Sequence, residues 1–93
     1  MAKRLDSLVK NMVLKVTVRS KDGLLFDGEA RALTSTNARG PFDVLPMHTN
    51  FISIITGEVI IHTKDSLEKR IPVGKGVLKI RDNVAEVLIG LEA

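Results

Sequence analysis

Cysteine, tryptophan and tyrosine are absent from the 93-residue chain, and three phenylalanines are its whole aromatic complement. Without cysteine there is no disulfide framework, no thiol nucleophile and no cysteine-based zinc site. Long apolar runs are missing too: residues 52–55, interrupted by Ser53, fall far short of the about 20 residues that span a bilayer. Lys3 and Arg4 are followed by no apolar segment of the kind a secretory leader carries, so the expectation is a cytoplasmic protein without direct bilayer insertion. The net charge of +3 permits acidic partners and demands none. What is present is 44% apolar and 27% charged residues, a balance that suits a folded chain over a disordered one. At this length there is room for one domain and one modest core.

Most of the chain alternates with a period of two. In Leu14-Lys15-Val16-Thr17-Val18-Arg19 apolar and polar positions swap strictly, as in a strand with one wet face. Turns are expected at Ser20-Lys21-Asp22-Gly23, Asp27-Gly28, Lys64-Asp65-Ser66, Gly74-Lys75-Gly76 and Asp82-Asn83. Residues 37–41 are expected to form a loop, because Pro41 has no amide hydrogen for a ladder, and Pro46 breaks the chain again. Strands are expected at residues 14–19, 24–26, 29–36, 42–45, 51–55, 58–63, 67–73, 77–81 and 84–89. Such spacing predicts an all-β, antiparallel two-sheet sandwich or flattened barrel of about eight to ten short strands. It occupies residues 13–93. Residues 1–12 form an N-terminal extension in which Leu5, Leu8, Val9 and Met12 have the spacing of one or two helical turns.

Patterns that carry chemistry are scarce. The Walker A, HExxH and zinc spacings do not occur. Gly74-Lys75-Gly76 lies between strands with no helix after it to bind phosphate, so it is expected to be a hairpin turn. His62 alternates with Ile61 and Thr63 and is expected to be a partly exposed strand residue, and no nucleophile elbow accompanies either histidine. Lys64 and Lys75 lack the flanking residues of a lipoylated or biotinylated lysine and are expected to be solvated turn residues. An alternative of another class is a small β-barrel that binds acidic ligands such as RNA. Against it, Phe26, Phe42 and Phe51 each sit in an apolar run, and the cations mix with acids as in Leu67-Glu68-Lys69-Arg70. Nucleic acid is therefore not the expected partner.

The stretch Gly40-Pro41-Phe42-Asp43-Val44-Leu45-Pro46-Met47-His48 resembles the epsilon subunit of F-type ATP synthases, with its Gly-x-Phe/Leu-Gly-hydrophobic-Leu/Tyr-Pro-x-His. Val18-Arg19-Ser20 with Phe26-Asp27-Gly28-Glu29-Ala30 resembles that family's opening hairpin, and Gly57-Glu58-Val59 the start of a later strand. Residues 73–89, with GKGVLKI and NVAEVLI, resemble the end of its β domain. The resemblance covers nearly everything after Met12. Departures are Asn50 where proline is usual, Asp43 for glycine and Lys79 for glutamate. The chain also stops at Ala93, where the family continues into a helical hairpin; a short form and a domain of a longer chain both stay open.

That resemblance implies a non-catalytic β-sandwich in the central rotor stalk of a proton- or sodium-translocating motor, without cofactor or metal. One side packs on the gamma subunit and one end on the polar loops of the c-ring, which holds the protein at the inner face of the plasma membrane. By position, Asn37, Arg39, Gly40, Pro41 and Phe42, together with Met47, His48 and Asn50, belong to the ring-facing end. Arg39 is then the partner of an acidic group on a ring loop. His48 is either an interface residue or a tie between the Pro46 turn and backbone carbonyls, and both stay open. For the gamma face, Val59, Ile60 and Ile61 and again Val87, Leu88 and Ile89 are consecutive apolar residues. A strand apolar on both sides needs cover on both, which predicts an exposed apolar patch above a few hundred Å² that includes some of these residues. Without the family's C-terminal helices, neither restraint of ATP hydrolysis nor ATP binding is expected.

Overall fold

The computed structural model describes residues 13–65 and 67–90; the helical turns expected in residues 1–12 lie outside them. The described chain consists of strands β1 (Leu14–Ser20), β2 (Gly23–Ala30), β3 (Ala32–Asn37), β4 (Gly40–Val44), β5 (Phe51–His62), β6 (Glu68–Arg81) and β7 (Val84–Ile89). They form one seven-stranded sheet in the order β2-β1-β7-β6-β5-β3-β4. Every neighbouring pair is antiparallel except β1 and β7, which run parallel, so the sheet is mixed.

Two long strands turn this sheet into a sandwich. Gly57 of β5 stands opposite Gly74 of β6, and both have left-handed backbones, with φ of 79° and 65°. Glycine adopts this conformation without the Cβ penalty that other residues meet. The register shifts at the same place, between Gly57 and Glu58. The extra residue on β6 reverses its alternation, as a β-bulge does: Ile71 and Val73 point inward before it, and Gly76, Leu78 and Ile80 after it. One layer therefore contains β2, β1, β7 and the halves of β6 and β5 that pair Gly76 with Ile55 and Ile80 with Phe51. The other contains β4, β3 and the opposite halves, which pair Val59 with Ile71.

Between the layers lies one core, with Leu14, Val16, Val18, Leu33, Val44, Ile55, Val59, Ile61, Leu78, Ile80 and Val87 at 1% exposure or less. Each buried aliphatic side chain of this size contributes about 1.5–3 kcal/mol relative to exposure. Among the described residues Ser35 is the buried polar side chain, and its hydroxyl donates to the Glu58 carbonyl at 2.9 Å, where the β3–β5 ladder skips register. A buried hydroxyl without that partner would be costly.

Several local expectations need correction. Strand number is seven because β5 and β6 run on through Gly57 and Gly74-Lys75-Gly76, where a gap between strands and a turn were expected. Asp27-Gly28 lies inside β2, which bulges against β1 beside Val18 and Arg19, and the chain breaks at Arg31 instead. Pro41 sits within β4 opposite Thr36, which is tolerated because β4 is an edge strand. Pro72 is accommodated likewise, since β7 pairs with β6 only from Gly76 onward.

Gly76 is the tightest point of the bend. A Cβ there would lie 2.5 Å from the Leu88 carbonyl oxygen and 2.9 Å from Val73 Cγ1. Gly76→Ala is expected to destabilise the domain by about 1–3 kcal/mol, read as a lowered denaturant midpoint at unchanged slope.

Candidate functional site

Two stretches named from sequence meet the rest of the fold in different ways. Asn37 to Phe42 form the tip of the β3–β4 hairpin. Ala38 and Arg39 make its turn, Asn37 Oδ1 accepts the Arg39 amide at 2.9 Å, and Gly40 takes φ of 120°. Arg39 and Pro41 are exposed, while Asn37, Gly40 and Phe42 are half-buried. Asn37 Nδ2 donates to Ser53 Oγ at 3.2 Å, tying the tip to the first half of β5.

Residues 45–50 cross from β4 in one layer to β5 in the other. Met47 there adopts φ of 67°, an unusual conformation for methionine. The β6–β7 turn supports it. Asp82 and Asn83 are both left-handed, which suits a tight hairpin turn. That geometry lets Asn83 Oδ1 accept the Met47 amide at 2.6 Å, while the Asp82 amide donates to Asn50 Oδ1 at 3.0 Å. Met47, His48, Asn50, Asp82 and Asn83 line a shallow hollow of roughly 310 Å³. No local pattern signals that Asn83 anchors this segment, because the contact depends on how the layers stack.

His48 is exposed, with Nδ1 2.7 Å from its neighbour's carbonyl at Thr49. A carbonyl only accepts, so the hydrogen resides on Nδ1 and Nε2 is an acceptor in the neutral ring. The ring leans on Phe51 at a centroid distance of 4.9 Å, and Phe51 meets Phe42 edge-on at 6.1 Å. The two stretches are thus joined through Phe51. Among the described residues no group of three or more His, Asp and Glu could hold a metal ion.

Of the residues assigned to a gamma face, Val59, Ile61 and Val87 belong to the core at 0% exposure, so they have no surface to offer. Alternation is the reason: a run of apolar residues in a strand sends its members to opposite faces. Ile89 is half-buried against the core, whereas Ile60 is half-buried and Leu88 is 42% exposed. Leu88 stands in a cross-strand row on the outer face, Ile54–Val77–Leu88–Arg19–Leu24, running over β5, β6, β7, β1 and β2. Ile54 and Ile52 are 59% and 68% exposed. Ile52 also borders a hollow of roughly 560 Å³ flanked by Lys79 and Arg81. Ile52 and Ile54 alternate with Phe51, Ser53 and Ile55 in a nearly all-apolar strand, the signal already noted for residues 59–61.

Farther round, Lys64 Nζ lies 2.8 Å from Glu29 Oε1. Its hydrogen bond, and then its charge, hold the Glu29 carboxyl below the usual range.

Residues 13–90 match the family described as the ATP synthase, Delta/Epsilon chain, beta-sandwich domain. The chain belongs to this family. It is 24% identical over 78 residues to the ATP synthase epsilon chain of Sulfurovum sp., covering 83% of this chain and 61% of that one. For the epsilon chain of Bordetella petrii the identity is 37% over 76 residues, covering 81% and 54%. The chain therefore spans between 54% and 61% of the length of these two relatives. Its fold is similar to a chain of the Euglena gracilis mitochondrial ATP synthase, at a TM-score of 0.78 and 16% identity, covering 84% of this chain and 51% of that one. A chain of the Tetrahymena thermophila mitochondrial ATP synthase matches at 0.68 and 15%, covering 82% and 62%.

Asn83→Gly retains the left-handed turn but removes the acceptor for the Met47 amide. It is expected to cost about 1 kcal/mol and to speed exchange of that amide about fivefold or more, measured by hydrogen exchange. Lys64→Met is expected to return the Glu29 titration upward to the ordinary carboxylate range, read by NMR. Because the folded carboxyl titrates lower than the unfolded one, the pair's stabilisation is present at neutral pH and is lost as pH falls through the folded titration.

Proposed function

We propose that this chain is the β-sandwich part of an epsilon subunit in the central rotor of a proton- or sodium-translocating ATP synthase. The single observation that carries the proposal is the family match across residues 13–90. Its role is mechanical: it catalyses nothing and transmits rotation between the gamma subunit and the c-ring. The two solved relatives come from complexes whose descriptions include the c-ring, and one of them also the central stalk. No helix among the described residues is long and apolar enough to cross a membrane. The chain is held at the inner face of the plasma membrane through its partners.

The outer apolar row supports gamma docking through Ile54, Val77 and Leu88, with Ile52 at its margin; Ile60, on the other half of β5, lies opposite Thr34 in the second layer and is not part of this face. Lys79 and Arg81 beside Ile52 favour acidic groups on the partner's rim. Val59, Ile61, Val87 and Ile89 serve this face from behind, as the packing that keeps it flat. The tip residues Asn37, Arg39, Gly40, Pro41 and Phe42, with Met47, His48 and Asn50, meet the polar loops of the c-ring. Arg39 is exposed at a turn, positioned for a rim ion pair that sets register more than affinity. No observation favours the RNA alternative: Phe26, Phe42 and Phe51 all pack against the core, which leaves no stacking platform.

Ile54→Asp and Leu88→Asp are each expected to weaken capture by a gamma subunit about thirtyfold, the scale of a central contact. Arg39→Ala is expected to weaken c-ring binding by up to about tenfold at low salt and less at high salt. Titration of the purified full chain against reconstituted gamma and c-ring measures both. Wild-type chain that binds neither partner would refute the proposal.

A further inference from the structure

On the layer that contains β3 and β4, four polar side chains form a row across β4, β3, β5 and β6: Asp43, Thr34, His62 and Glu68. Thr34 stands opposite Asp43, and His62 opposite Glu68. Thr34 Oγ1 donates to Asp43 Oδ1 at 2.6 Å and lies 2.8 Å from His62 Nε2. His62 Nδ1 is 3.9 Å from Glu68 Oε1, beyond hydrogen-bond reach.

Counting donors orders the row. An ionised carboxylate only accepts, so the single hydroxyl hydrogen of Thr34 goes to Asp43. The Thr34 oxygen is then the acceptor toward His62, and the ring hydrogen must sit on Nε2. The chain of bonds runs His62 Nε2–H to Thr34 Oγ1–H to Asp43. At its far end Arg70 fastens Glu68 at 3.1 Å and Glu58 at 2.7 Å.

We infer that His62 is a positioning residue, held with its hydrogen on Nε2, and that this row fixes the β3–β4 hairpin to the body of the sandwich. The hairpin needs such a fastening. β4 pairs with β3 alone, and the β3–β5 ladder is interrupted between Thr34 and Thr36. The row fastens Thr34, the last residue in regular register before that interruption, to His62 on the outer face, while Ser35 spans the interruption itself on the inner face. With the His62 side chain only 25% exposed, its bond to Thr34 is partly shielded from competing water, whereas the Thr34–Asp43 bond is exposed. The row stands on geometry alone. Its use, to aim the tip bearing Arg39, rests on the function proposed above.

Long-range nitrogen–proton NMR of the full-length chain at about pH 8, where a free imidazole is neutral, tests the row. The Nε2–H pattern is expected for His62, lost in Thr34→Val and retained in Thr34→Ser. Hydrogen exchange of the β3–β4 amides should accelerate about tenfold or more in Thr34→Val, with β1 and β7 unchanged and Thr34→Ser near wild type. An Nδ1–H pattern in the wild type would overturn the inference. So would exchange in Thr34→Val that is unaltered or that rises uniformly across the sheet. For the docking role, Thr34→Val should weaken c-ring binding without changing gamma capture; a loosened hairpin that binds the ring normally refutes that role. Failure of the wild type to bind either partner counts against the proposed function, and the spectra still judge the row.

Discussion

Two left-handed glycines facing each other across β5 and β6 hold the geometry together, because both long strands change layers at that pair. The accompanying extra residue matters as much as the bend. Without it, β6 would carry Ile71 and Val73 into the core and send Leu78 and Ile80 to solvent. With it, one strand buries apolar side chains in both halves, and a chain of this length encloses a core with only seven strands. The crowding around Gly76 follows: the bulge brings β6 against the Leu88 carbonyl, where no side chain fits.

The surface is the complement of that arrangement. Once the bulge sets which side chains turn inward, Ile52, Ile54, Val77 and Leu88 are left on the opposite face of the same strands. They are not a failure of packing. An antiparallel sheet ordinarily gives its outer face to polar residues, so the aliphatic side chains there are the surface on which the proposed docking rests. The open end is built differently, from backbone held by side chains: Met47 by Asn83, Asp82 by Asn50, and the His48 ring by Thr49 and Phe51. One surface offers area and the other a defined shape, which suits the two unlike partners proposed for it.

How much of this was legible in the sequence depended on the range of the interaction. Alternation in Leu14–Ser20, the Ser20–Gly23 and Asp82–Asn83 turns and the all-β class follow from local chemistry, and they stand as expected. Gly74-Lys75-Gly76 read as a turn, and Gly57 fell in a gap between strands, because a glycine signals a conformation without saying whether the strand resumes. Pro41 read as loop because its position on a sheet edge is a property of the whole topology. Residues 59–61 and 87–89 were noticed for their composition, yet only the register says that Val59, Ile61 and Val87 face inward and Leu88 outward. The His48 ring bonds the carbonyl of the adjacent Thr49 and is exposed, a placement its local sequence does not announce. The anchoring by Asn83 and the Thr34–His62 contact join residues distant along the chain, and no local pattern announces them.

The parallel pairing of β1 with β7 sets an order of events during synthesis. Lys15 aligns with Val84 and Val18 with Val87, so the earliest described strand has its second neighbour only when the last one exists. Closing so large a loop carries an entropic cost before any of its contacts form, and topologies dominated by such distant pairings fold slowly. On the ribosome, β1 and β2 can make a hairpin at once, but Val16 and Val18 have no complete cover until β7 has emerged. Until then the nascent chain displays a greasy strand edge, the state in which a chaperone or the finished neighbour of an assembling complex has something to hold.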